Sequence, residues 1–240
     1  MFTTILSSIF GVTIPIAFNY TIAVIILYLP NTYGLPAPAR ASPYIFGGSD
    51  AIPHSIPWQV ATLPKGGGRL NICGGTLISN RHVLTAAHCG KVDRVIVGAH
   101  SIELTGTSDG IKHKVCRTVF HPNWNPNRNT NKYDIAILHL AEPVEFSNHV
   151  APACLPDDRF SRVETASKMT VSGWGLVTRV MMGASSLRNK LQRVEVPGVT
   201  NNQCGQLYER VGRKITDDMI CAGDVESGKI DACPGDSGGK

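Results

Sequence analysis

After residue 48, short runs rich in apolar residues alternate along the chain with clusters of polar and turn-forming residues. The runs are rich in Val, Ile and Thr, which favour strands. In chain order they read PWQVATL, GGTLIS, HVLTAAH, DRVIVGAH, DIAILHL, KMTVSGWG and LQRVEVPGV. A helical period of 3.6 residues is best met over residues 201–210. The pattern predicts an all-β sandwich or barrel with one short helix.

The amino-terminal residues 1–39 differ from the rest of the chain, because they contain no Asp, Glu, Lys or Arg. Residues 14–29 form an apolar run of 16. A membrane-spanning helix needs about 20 residues, whereas the shorter run fits the core of a signal peptide. Small residues at 37 and 39 offer a cleavage site. Residues 1–39 are therefore predicted to be a secretory signal peptide, with a retained signal-anchor or a misassigned start codon as alternatives.

Composition narrows the class of protein further. Hydrophobic residues make up 42% and charged residues 17% of the 240 residues, as in a globular protein rich in strands and loops. The net charge of +5 comes from scattered Lys and Arg, so no nucleic-acid partner is expected. Seven cysteines without a C-x-x-C pair argue against a zinc ribbon and fit disulfides formed in an oxidising compartment. Because seven is odd, one cysteine lacks a partner.

Three segments offer the residue types that amide hydrolysis by a serine requires: a base, a carboxylate that orients it, and an exposed hydroxyl. His88, in LTAAHC, stands beside a cysteine at the end of a β-like run. Asp134 begins DIAILHL, and Ser237 lies in PGDSGGK. The N–H groups of Gly235 and Ser237 are candidates to stabilise an oxyanion. Taken singly, these residues also fit a surface histidine, a strand-end cap and an ordinary turn.

Five motifs, TAAHC, DIAIL, SGWG, MICAG and GDSGG, occur in an order that resembles the chymotrypsin family of serine proteases. The match covers residues 45–239 and keeps the family's order of His, Asp and Ser. The resemblance implies an all-β fold of two six-stranded antiparallel β-barrels. It also implies that His88 is the general base, Asp134 the orienting acid and Ser237 the nucleophile. Gly235 and Ser237 would supply the N–H groups of the oxyanion hole.

The resemblance also implies how the protein chooses substrates and becomes active. Asp231 matches the acid at the base of the specificity pocket in members that cleave polypeptides after Arg or Lys. Residues 40–44 would form an activation peptide, and cleavage before Ile45 would free an ammonium that pairs with Asp236. The implied protein is a secreted zymogen that needs an activating protease and meets protein protease inhibitors. No cofactor or metal is implied, since Ala99 replaces the glutamate of calcium-binding members.

Disulfides are a further expectation taken from the family. The resemblance implies two pairs, Cys73–Cys89 and Cys204–Cys221. The first would tie down the loop that carries the candidate base. Cys116 with Cys154 is a weaker candidate pair, because the family offers no firm template for it.

Besides Ala99, the chain departs from the family's pattern at both ends of the protease domain. Beyond GDSGG the family continues with pocket walls, the last strands and a cysteine that would pair with Cys233, and Lys240 stands where proline is usual. The second barrel of the domain at 45–240 is therefore expected to be incomplete and the chain as it stands inactive. Tyr44 precedes Ile45 where Arg or Lys is usual, which leaves the activating protease open. The alternative function is an inactive truncated form or a non-catalytic homologue with a binding or regulatory role.

Overall fold

The structure is a computed structural model, and the residues that it describes fall in nine stretches. They are residues 48–64, 72–103, 107–126, 132–155, 167–175, 189–209, 214–216, 219–223 and 237–238. Strands β1 to β10 are, in order, Ser49–Asp50, Gln59–Pro64, Cys73–Ser79, His82–Thr85, Val92–Val97, Ile111–Phe120, Ala136–Leu140, Lys168–Gly173, Gln192–Val199 and Cys221–Ala222. A 3₁₀ turn spans Ala87–Cys89, and helix α1 spans Asn201–Glu209. Within these stretches no helix is long and apolar enough to cross a membrane.

Six of the strands close into an antiparallel barrel in the order β2-β3-β4-β7-β6-β5. Its interior is filled by one face of each strand, for example Val95 and Val97 from β5 and Leu138 and Leu140 from β7. Successive residues of a strand point to opposite faces, so every second residue of β5 and of β7 faces the barrel interior. Closure pairs every strand on both sides and leaves no free edge.

A second antiparallel sheet is built around β9, which pairs with β1, β8 and β10. The described part of this sheet has four strands. An apolar cluster joins it to the barrel, because Ile96 on the outer face of β5 packs in one group with Trp174 and Leu191. The indole Nε1 of Trp174 donates a hydrogen bond to the carbonyl of His100 at 3.2 Å. The prediction of an all-β fold is confirmed, and the first barrel is closed.

Helix α1 begins where a threonine provides a cap. The hydroxyl of Thr200 accepts the N–H of Gln203 at 3.3 Å and donates to the side-chain oxygen of Gln203 at 3.0 Å. This arrangement satisfies one of the N–H groups that a helix start leaves without a partner. The helix predicted at 201–210 is thereby confirmed through Glu209, and residue 210 lies outside the described part of the chain.

Both disulfides that the family implied are formed, Cys73–Cys89 and Cys204–Cys221. The pairing of Cys116 with Cys154 is wrong, because both are exposed free thiols. Cys116 lies where the pairing of β6 with β7 shifts register, between Val115 and Arg117. Its thiol points to β7, where it donates to the carbonyl of His139 at 3.3 Å.

Candidate active site

His88 lies in the 3₁₀ turn that follows β4, at one end of the closed barrel. The turn is anchored on both sides of the imidazole, since Ala87 is buried and Cys89 is bonded to Cys73 on β3. Gly90 ends the turn at a φ of 73°, a left-handed conformation that favours glycine. The side chain of His88 is 47% exposed, so the ring is fixed at its base and accessible at its edge.

Asp134 binds the same turn with both oxygens of its carboxylate. One oxygen accepts the backbone N–H of His88 at 2.8 Å, and the other lies 2.6 Å from Nδ1 of the imidazole. An ionised carboxylate only accepts hydrogen bonds, so the proton of the neutral ring lies on Nδ1 and the lone pair on Nε2. The side chain of Asp134 is only 14% exposed, which limits competition from water.

The contact with Asp134 changes the acidity of the imidazole. The hydrogen bond that Nδ1 donates to Asp134 raises the pKa of His88 above its usual value of 6.5, partial burial lowers the pKa, and the negative charge of the carboxylate adds to the increase. The direction follows from the stabilisation of the protonated ring by a neighbouring anion. Such an imidazole is a stronger base than a free histidine.

The segment that carries Ser237 is attached to the same part of the barrel. The carbonyl of Ser237 accepts the N–H of Gly74 on β3 at 2.7 Å. The same oxygen lies 3.7 Å from the sulfur of Cys89, the residue after the histidine. The structure thus brings the backbone of Ser237 next to the disulfide of the His88 turn, although 148 residues separate Ser237 from Cys89.

The attachment of the Ser237 segment requires glycine at position 238, because a side chain would not fit there. An added Cβ would lie 2.7 Å from the carbonyl oxygen of Gly74 and 2.8 Å from the backbone nitrogen of Ala86, and it would also overlap the Thr85 hydroxyl. The φ of Gly238 is 77°, in the left-handed region. The glycine after the serine therefore serves close backbone packing as well as turn geometry.

Replacing Gly238 with Ala is expected to lower the free energy of unfolding by about 2–4 kcal/mol, because the new methyl group meets backbone atoms and the φ is unfavourable for alanine. Thermal unfolding of the two proteins measures the effect. The matched control is Gly205→Ala in α1, where a Cβ meets nothing within 4 Å and helix propensity favours alanine. An unchanged melting temperature in Gly238→Ala would contradict this packing.

Several residues named from the sequence lie outside the described part of the chain: Gly235, Asp231, Asp236 and Ile45.

One group of possible metal ligands occurs among the described residues, formed by Cys73, His88 and Cys89. The two cysteines share a disulfide and offer no thiolate, so the group does not fit a metal ion. Sequence reasoning missed Gly74, whose N–H fixes the serine segment. Nothing local to a strand glycine signals such a distant contact.

Comparison with known proteins agrees with this geometry. Residues 45–239 match the family model described as Trypsin. The beta subunit of clotting factor G from Tachypleus tridentatus is 38% identical over 210 residues, which cover 81% of this chain and 64% of that protein. Trypsin Blo t 3 from Blomia tropicalis is 35% identical over 206 residues, covering 83% of this chain and 72% of that protein.

A solved structure is similar to this chain in fold and in sequence. Neuropsin, a serine protease expressed in the limbic system of mouse brain, superimposes with a TM-score of 0.67 at 34% identity. The match covers 80% of this chain and 79% of neuropsin. The Trypsin model, the relatives and the solved structure all point to the same family. The chain belongs to the trypsin family of serine proteases.

Proposed function

We propose that this protein is a secreted, zymogen-type serine endopeptidase that cleaves polypeptides after Arg or Lys through an acyl-enzyme. The observation that carries the proposal is the two-point contact of Asp134 with His88, at 2.8 Å and 2.6 Å, beside the attached Ser237 segment. A carboxylate bonded to Nδ1 selects the tautomer in which Nε2 accepts a proton. A hydrolase of this type needs that tautomer and a serine close to it.

In the proposed reaction, Nε2 of His88 takes the proton of the Ser237 hydroxyl as the oxygen attacks the carbonyl carbon of the substrate. The resulting oxyanion receives hydrogen bonds from the N–H groups of Gly235 and Ser237. The imidazolium, stabilised by Asp134, then gives its proton to the leaving amine, and the C–N bond breaks. Water repeats the sequence on the acyl-enzyme, which releases the acid and restores the serine.

Specificity and activation are proposed from the family motifs. Asp231 at the base of the pocket would pair with the guanidinium or ammonium of the substrate. Cleavage before Ile45 would release an ammonium that pairs with Asp236 and orders the pocket. The residue before that bond is Tyr44, so we infer an activating protease that accepts an aromatic residue. Protein protease inhibitors are the expected regulators.

We also propose that the protein is secreted. The uncharged residues 1–39, with an apolar run of signal-peptide length, and two structural disulfides support export to an oxidising compartment. The chain spans 64% of the length of the clotting factor G beta subunit, so the activity and partners of that whole protein do not transfer directly.

The pH dependence of kcat/KM tests the proposal, because His88 must be neutral to act as a base. Its raised pKa predicts a rise in kcat/KM on an Arg amide substrate through a midpoint above pH 6.5. The rise is expected in the full-length protein, meaning a chain that carries the whole protease domain, after cleavage before Ile45. The raised pKa also means that the protonated ring of His88 stabilises the folded protein. This stabilisation is complete below pH 6.5 and is lost as pH rises through the folded-state pKa of His88. His149→Gln, which changes an exposed histidine, is the control. A midpoint at or below 6.5 would contradict the proposal.

A further inference from the structure

The residue before Asp134 has an unusual backbone conformation. Tyr133 has a φ of 59°, and among the described non-glycine residues only His54 shares a positive φ. A left-handed conformation is costly for a bulky residue and persists only where surrounding contacts enforce it. Because the strain lies next to the carboxylate that contacts His88, it bears directly on the candidate active site.

Two contacts enforce this conformation. The carbonyl of Tyr133 accepts the N–H of Ile135 at 2.8 Å, which closes a tight turn with Asp134 at its centre. The ring of Tyr133 stacks on the ring of His121, with 4.7 Å between centroids and 7° between planes.

His121 is itself a fixed platform for the tyrosine ring. It is buried, its N–H donates to the carbonyl of Ile135 at 3.0 Å, and its carbonyl accepts the N–H of Trp124 at 2.9 Å. Its Nδ1 accepts the N–H of Asn123 at 3.1 Å, which fixes the plane of the imidazole. Stacking on a ring held this way limits rotation of Tyr133 and of the peptide that follows it.

We propose that Tyr133 is a positioning residue, whose stacking on His121 holds the strained turn and thereby aims both carboxylate oxygens of Asp134 at His88. The catalytic consequence rests on the proposed function, whereas the orientation of the Asp134 carboxylate towards His88 can be measured without turnover. If the stack were only loop packing, its loss would lower stability and leave the contact between Asp134 and His88 unchanged.

The test compares Tyr133→Gly with Tyr133→Phe in the full-length protein. Glycine accepts the positive φ but removes the ring, and phenylalanine keeps the ring and removes only the hydroxyl. The ring C–H signals of histidine, followed by NMR over a pH titration, report the pKa of His88. Tyr133→Gly is expected to lower this pKa towards 6.5, since a carboxylate that is less well oriented stabilises the imidazolium less. Tyr133→Phe is expected to match the unaltered protein.

Kinetics provide the second readout in the activated enzyme. Tyr133→Gly is expected to reduce kcat roughly tenfold with little change in KM, because misplacement of a catalytic group affects the chemical step. If Tyr133→Gly does not fold, Tyr133→Asn replaces it, since asparagine tolerates a positive φ without an aromatic ring. A pKa of His88 that is the same in all variants overturns the positioning role. A lowered pKa in a protein without protease activity would uphold that role and reject the proposed function.

Discussion

Replacing Asp134 with Asn is expected to lower kcat about 10⁴-fold, which is the loss that the equivalent change causes in a related triad. The hydrogen bonds explain the size of the effect. The amide oxygen of Asn can still accept the backbone N–H of His88, which leaves the amide NH₂ facing Nδ1. Nδ1 must then accept, so the ring proton moves to Nε2, which can no longer take the proton of Ser237.

The kinetic loss in Asp134→Asn should come with a changed pH profile. Without the carboxylate the pKa of His88 is no longer raised, so the ascending limb of kcat/KM moves to lower pH. Asp93→Asn is the matched control, because Asp93 is an exposed acid whose nearest charged contact is Arg94 at 3.3 Å. The control should retain full activity. A kcat within tenfold of normal in Asp134→Asn would mean that another group orients the base.

Replacing Asp231 with Ser is expected to reduce kcat/KM for Arg and Lys substrates by about 10³-fold, while substrates with an apolar side chain lose little. A guanidinium enclosed in a pocket without its carboxylate partner remains desolvated and unpaired, which costs far more than the loss of a surface ion pair. The ratio of kcat/KM for an Arg substrate to that for a Leu substrate therefore measures the effect.

Two comparisons make the Asp231 experiment interpretable. Asp93→Ser applies the same chemical change to an exposed acid and should leave the Arg to Leu ratio unaltered. The Asp231→Ser protein should still react with small reagents that modify the active serine, since the triad is not changed. An unaltered preference for Arg in Asp231→Ser would show that specificity is determined by another part of the pocket.

Much of the fold could be predicted because alternation in a strand reports directly on burial. In β9 the alternation of QRVEVPGV buries Val194 and Val196 and leaves Glu195 between them exposed. Alternation fails in β5, where Ile96 is buried although it points away from the barrel, since Trp174 and Leu191 cover it. Such a second apolar contact arises from the packing of the barrel on the other sheet, which local sequence does not specify.

The candidate site could be predicted where the residues in contact belong to one motif. It was missed where they are far apart in the sequence. TAAHC contains the histidine and the cysteine that anchors its turn, and its resemblance to the family implied the bond between Cys73 and Cys89. The strained φ of Tyr133 had no such signal, because tyrosine is not a residue that suggests a left-handed conformation. The free thiol of Cys116, which lies at a register shift between two paired strands, likewise had no signal in the sequence.

Labelling of the full-length protein with a fluorophosphonate, after cleavage before Ile45, tests the central claim most directly. The serine oxygen of a functioning triad displaces fluoride from phosphorus and forms a stable bond. We predict one label per chain, mapped by mass spectrometry to Ser237, with labelling lost in Ser237→Ala and strongly slowed in His88→Ala. Retained labelling in Ser237→Ala, or no labelling of a protein that is folded and cleaved, would contradict the assignment of Ser237 as the nucleophile.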